Sequence, residues 1–161
     1  MLQYTCDCGL RQRRRGASRI EEILPSEVRC VRASSDSSWP ACWISRPANV
    51  LLSDEGTMWN ARSFAPAWIR LDLGESAPYI ARIDLLPSME PKDGKVTHIV
   101  RIGMNLHQME TVVTMKGEWA DRQWAGCTFP EHYRRARYVE ILTMDSPSWV
   151  AWIRVRIWKE V

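Results

Sequence analysis

The hexapeptide Trp68-Ile69-Arg70-Leu71-Asp72-Leu73 decides the fold. Ile69, Leu71 and Leu73 alternate with Arg70 and Asp72, a period of two that sends apolar side chains to one face of a strand and charges to the other. The same period recurs on both sides of it. Tyr79, Ala81, Ile83 and Leu85 alternate with Ile80, Arg82, Asp84 and Leu86. Val100, Ile102, Met104 and Leu106 alternate with Arg101, Gly103 and Asn105, and Ile153, Val155 and Ile157 with Arg154 and Arg156. VRCVRA (28–33), ETVVTMK (110–116) and ARYVEILTM (136–144) read as further strands. Turn-rich stretches separate them at Pro87–Gly94, Lys116–Gly126, Phe129–Arg135 and Asp145–Ser148. Short strands without an intervening long helix predict an all-β, antiparallel sandwich or barrel over 28–161.

Residues 1–27 have a different character. Before residue 20, Arg11, Arg13, Arg14, Arg15 and Arg19 stand against Asp7 alone, so this start reads as a basic tail while the rest of the chain is near neutral. Ser18 and Glu21 have capping-box spacing, Ile20, Ile23 and Leu24 share a helical face, and Pro25 follows; together they predict a short helix ending near Leu24. With a net charge of only +3, no nucleic-acid partner is expected. No apolar run reaches the ~20 residues of a membrane span. Met1–Gly9 lacks a basic start followed by an apolar stretch, so the reading is intracellular. The odd number of cysteines (Cys6, Cys8, Cys30, Cys42, Cys127) rules out a fully paired disulfide framework and fits reduced thiols.

Catalytic signatures are missing. His98, His107 and His132 have no metal-ligand spacing, and there is no nucleophile elbow, P-loop or dinucleotide fingerprint. Cys127 and His132 read as a structural thiol near a surface imidazole, and Cys6-Asp7-Cys8-Gly9 as at best half of a zinc site. The chain is therefore expected to be a non-enzyme without a cofactor. Its outlying number is nine Trp against two Phe, which suits an indole-rich core, a binding surface, or both.

From about Val28 to Trp158 the motifs resemble the discoidin family, also called coagulation factor 5/8 type C domains. They stand in that family's order: Ala33-Ser34-Ser35 with Ser38-Trp39, Gly56-Thr57-Met58-Trp59, Trp68 to Gly74, Ile80 to Leu85, Pro87 with Gly94, Gly117 before Trp119, and Ala136-Arg137-Tyr138-Val139-Glu140-Ile141. The resemblance implies a jelly-roll β-sandwich of galactose-binding-domain type, shared with family 32 carbohydrate-binding modules, whose loops at one end carry a ligand site. On that basis Trp59, Trp68 and Trp158 are expected in the core. Of Trp39 and Trp43 in the first loop and Trp119 and Trp124 around a later one, some are expected as exposed stacking platforms, with Trp39, Trp43 and Trp119 as the ligand candidates. Arg62, Ser88, Lys92, Asp93 and His98 are the candidate polar partners, His98 otherwise reading as a hydrogen-bonded strand-end histidine. Trp149 is expected either to join the platforms or to pin the last strand.

Departures from the family pattern qualify this. Calcium-binding members begin one loop with an acid and carry a Glu in the last strand; here Leu52 and Arg154 stand in those places, and neither ligates a hard cation, so no calcium is expected. Ser88 and Asp93 replace the Arg and Asn with which galactose-binding modules clamp sugar hydroxyls. The terminal cysteine pair of the coagulation-type domains is also missing. The functional expectation is non-catalytic carbohydrate binding, with an intracellular protein-interaction scaffold as the alternative. Anionic lipid, with Trp39 and Trp43 inserting, comes third.

Overall fold

The computed structural model describes residues 3–5, 19–35, 46–129 and 135–161. Its strands are β1 (Gln3–Thr5), β2 (Ile20–Glu22), β3 (Cys30–Ala33), β4 (Trp59–Asn60), β5 (Ala67–Asp72), β6 (Ile80–Pro87), β7 (Asp93–Gly103), β8 (Glu110–Ala120), β9 (Ala125–Thr128), β10 (Tyr138–Asp145) and β11 (Ala151–Glu160). One sheet runs β1-β8-β7-β10-β5-β3; the other runs β2-β11-β6-β9, with β4 also paired to β11. Every pairing is antiparallel. The predicted all-β sandwich is the observed architecture.

The alternation read in the sequence fixes which side chains face inward. Ile69, Leu71, Val100, Ile102, Val139 and Ile141 from the first sheet meet Ile83, Leu85, Val155 and Ile157 from the second, all buried in one core. Each such side chain withdrawn from water stabilises the fold by roughly 2 kcal/mol. Trp59, Trp119 and Trp152 are the largest fully buried side chains and fill one common core with them.

Four expectations need correction. The helix expected up to Leu24 is absent: Ile20–Glu22 is strand β2, paired with Trp158, Lys159 and Glu160 at the edge of β11. Open ladder groups on β11 satisfy that backbone, Ile23 is buried with its N–H donating to the Ile157 carbonyl (2.8 Å), and Glu22 reaches Arg156 (2.6 Å). Residues 20–27 thus join the sandwich rather than a tail, while the Arg11–Arg15 run lies outside the described residues. Half of a capping box does occur further on, where the Leu24 N–H donates to Glu27 (2.8 Å) ahead of the 3₁₀ turn Pro25–Glu27. Second, Trp68 and Trp158 are half-buried on the outer faces. They are covered by the guanidiniums of Arg70 (4.4 Å from the Trp68 ring) and Arg156 (4.8 Å from the Trp158 ring). Third, β7 stops at Gly103, leaving Met104 and Leu106 exposed. Fourth, the stretch Lys116–Gly126, read as turn-rich, is strand at both ends: β8 runs on to Ala120 and β9 begins at Ala125.

Gly126 on β9 shows why that segment looked unlike a strand. It lies opposite Asp84 in the ladder, and a Cβ there would sit 2.0 Å from the Asp84 Oδ1. The bare backbone leaves room for the buried Asp84 carboxylate, which accepts from Arg82 Nε and Trp158 Nε1, each at 2.7 Å.

Candidate functional site

Three strand ends of the second sheet converge at one edge of the sandwich. Asn60 of β4 pairs with Ala151 at the start of β11, and Trp152 pairs with both Trp59 and Pro87, the last residue of β6. Backbone bonds hold the loops leaving these strands: Ser88 N–H to Ala151 O (3.1 Å), Ala61 N–H to Val150 O (2.8 Å) and Val150 N–H to Ser63 O (3.0 Å). The turn after β6 is pinned from the other side, since Met89 N–H donates to Asp121 Oδ1 (2.8 Å) and Arg122 N–H to Pro87 O (3.1 Å).

Two aromatic side chains project from this frame. The Asn60 side chain accepts from the Arg62 N–H (2.7 Å), and Arg62 takes a positive φ of 54°. The tight turn that results leaves Phe64 61% exposed. In the loop before β11, Ser148 and Val150 are buried and the residue between them is forced outward, leaving Trp149 50% exposed. Phe64 and Trp149 line an open cleft of about 290 Å³ together with Asn60, Ser88 and Glu90, over the buried Met89. Among the described residues, Glu90 is the one charged residue in its lining.

The residues proposed from the sequence distribute unevenly around this cleft. Ser88 lines it. Arg62 lies in the same loop as Phe64 without lining it, and Lys92 and Asp93 are exposed further along the turn that carries Glu90. Trp39 and Trp43 lie outside the described residues. Trp119 and His98 are corrections. Trp119 is 1% exposed, with its indole N–H donating to the Gln123 carbonyl (2.9 Å), so it is a core side chain and no surface platform. His98 is 4% exposed, packed edge-on against Trp119 (4.9 Å between centroids) and Trp152 (4.8 Å), with Nδ1 at 3.0 Å from Thr143 Oγ1. Neither reaches a ligand in the cleft by its ring face. Sequence reading missed Asn60, Phe64 and Glu90. An aromatic in the short polar stretch Arg62–Pro66, between strands, was the available signal for Phe64.

Burial pushes the His98 imidazole from 6.5 down to about 3, with no charged neighbour behind the shift. The sign follows from the neutral ring being favoured in the fold. That stabilisation is complete above pH 6.5 and is lost as the pH falls from 6.5 towards 3, because the unfolded chain binds a proton that the native chain refuses. Between pH 7 and pH 5 this amounts to about 2 kcal/mol. Urea unfolding at the two pH values should therefore show a His98→Phe variant losing about 2 kcal/mol less than the parent on acidification. Equal losses in both proteins would remove His98 as the cause.

The loop that begins with Leu52 is tied to the last strand by Arg154, whose Nη1 donates to the Leu52 carbonyl. Among the described residues no group of three or more His, Cys, Asp or Glu is placed to hold a metal ion. Nor is any helix among them long and apolar enough to cross a membrane. Cys30 is half-buried in β3 and Cys127 is buried in β9; Cys6, Cys8, Cys42 and His132 lie outside the described residues.

No family model matches the sequence, and no curated protein matches it. Solved structures do. A family 32 carbohydrate-binding module of Clostridium perfringens NanJ, solved in complex with galactose, is 16% identical with a TM-score of 0.68, over 87% of this chain and 99% of that one. A second Clostridium perfringens module, in complex with GalNAc-β-1,3-galactose, is 15% identical with a TM-score of 0.69, over 85% of this chain and 99% of that one. This chain has the fold of the family 32 carbohydrate-binding modules. A chitosan-binding module from a chitosanase/glucanase of Paenibacillus sp. IK-5 shares it at 16% identity and a TM-score of 0.64, over 84% of this chain and 98% of that one. The family 32 fold agrees with the galactose-binding-like sandwich that the sequence motifs implied, and at these identities it is the fold that is shared.

Proposed function

We propose that this chain is a non-catalytic carbohydrate-binding module, and that the cleft between Trp149 and Phe64 receives a neutral or amino sugar. The observation that carries this reading is a half-exposed indole beside an exposed phenyl ring, with Asn60, Ser88 and Glu90 on the same open cleft. A pyranose has apolar C–H faces and a polar rim. Indole and phenyl surfaces take the former out of water, while an amide, a hydroxyl and a carboxylate exchange hydrogen bonds with the latter. Among the described residues of its lining, these polar groups surround two aromatic faces, an arrangement that supports binding.

The solved modules of this fold include ones in complex with galactose and with GalNAc-β-1,3-galactose, and others described as chitosan-binding and pectin-binding, which supports a glycan as ligand without naming which. Charge narrows the class. Glu90 repels a uronate carboxylate and attracts the ammonium of an amino sugar, so acidic glycans should rank last here. No observation favours the protein-scaffold alternative.

Calorimetric titration with galactose, glucosamine oligomers and galacturonate oligomers tests the reading. Binding by a neutral or amino sugar should weaken about tenfold or more in Trp149→Ala, a loss of about 1.4 kcal/mol, with an unchanged unfolding midpoint. Undiminished binding in that variant would place the site elsewhere. A preference for the galacturonate series would overturn the class.

A further inference from the structure

Beneath the cleft lies a second, much smaller cavity of about 10 Å³, lined by His98, Thr143 and Trp152 and sharing Ser88, Ser148 and Trp149 with the cleft above. His98 Nε2 and Trp152 Nε1 are both buried, and neither has a hydrogen-bond partner among the described residues. Two orphaned polar atoms on residues that line one cavity are costly. Each unpaired group forfeits a desolvation penalty on the order of 1–3 kcal/mol, so native proteins rarely leave them so.

We propose that this cavity is a binding position for one neutral, hydroxyl-type oxygen, held between Trp152 Nε1–H and His98 Nε2. Size selects the occupant first: a cavity of roughly 10–15 Å³ holds one water-sized group and nothing larger. Hydrogen-bonding capacity selects next. The indole is a donor only, so the occupant must accept; the neutral imidazole nitrogen is a donor or an acceptor depending on which way the His98–Thr143 bond runs. A hydroxyl oxygen complements either tautomer because it both accepts and donates. A metal ion is excluded by a lining that, among the described residues, offers one imidazole and no carboxylate or thiolate, and a carboxylate by its bulk and by the cost of burying its charge.

Two sources supply such an oxygen: solvent water, or a hydroxyl of a ligand seated in the cleft and reaching down between Ser88 and Ser148. The position stands apart from the sugar reading, since its water form is observable in the ligand-free protein. The experiment is a water-selective rotating-frame Overhauser measurement on the ¹⁵N-labelled full chain. The Trp152 indole resonance is assigned through bonds, so no variant has to fold. A direct cross-peak between water and Trp152 Hε1 in the free protein is the expected result. Its absence, with the indole proton otherwise visible, overturns the proposal. Repeating the measurement in saturating galactose separates the sources. A retained water peak assigns the position to solvent, and its replacement by a peak from a sugar hydroxyl assigns it to the ligand.

Discussion

Replacing Trp119 with alanine is expected to destabilise the sandwich by about 4 kcal/mol while leaving saccharide binding by the folded fraction unchanged. Trp119 is fully buried, packs edge-on against His98 and Trp152, and loses both that contact and the hydrogen bond to Gln123 when truncated. Truncating a buried aromatic to alanine costs roughly 3–5 kcal/mol. For a domain of this size the melting temperature should fall by about 10 °C. Thermal unfolding and titration calorimetry on the same preparation check both halves. An intact melting temperature with lost binding would restore Trp119 as a surface platform.

The second large effect concerns Glu140. Its side chain is only 3% exposed, on the outer face of β10, where the ladder sets Arg70 on one side and Arg101 on the other. Arg70 Nε and Arg101 Nη1 donate to its two oxygens at 2.9 and 3.0 Å. The arginines themselves are 22% and 36% exposed, so the energetics are lopsided. Unpaired guanidiniums can turn to solvent; an unpaired Glu140 carboxylate has nowhere to go. The double variant Arg70→Leu, Arg101→Leu should therefore lose about 3 kcal/mol at neutral pH, whereas adding Glu140→Leu to it should recover most of that loss. Urea unfolding of the three proteins decides it. A triple variant as unstable as the double would mean that packing over Trp68, and no stranded charge, carries the effect.

Much of this was legible beforehand because a half-buried antiparallel strand writes its geometry into its sequence. Ile69, Leu71 and Leu73 announced their shared face, and the parity of the same run placed Trp68 with Arg70 on the outside. Family position suggested the core instead, and parity won. Trp158 repeats the lesson beside Arg154 and Arg156. Parity also reached Trp119, in step with Val113 and Met115, once β8 is followed to Ala120. What stayed hidden had no period to read. Ile20–Glu22 is too short to alternate and carried helix signals that the open edge of β11 overrode. Ala125–Thr128 carries a glycine at 126 because Asp84 on the neighbouring strand needs the room, a contact invisible along the chain. The cleft was half-read: Ser88 was found and Trp149 weighed, but Phe64, Asn60 and Glu90 meet them only through the pairing of β4, β6 and β11.

That meeting of strand ends has a kinetic meaning. A pocket whose walls are fastened to one sheet has little ordering left to do when a ligand arrives, so encounter and capture merge into a single step. Observed relaxation rates should then climb in proportion to saccharide concentration without levelling off. Affinity differences among sugars should be written almost wholly in how long each one stays.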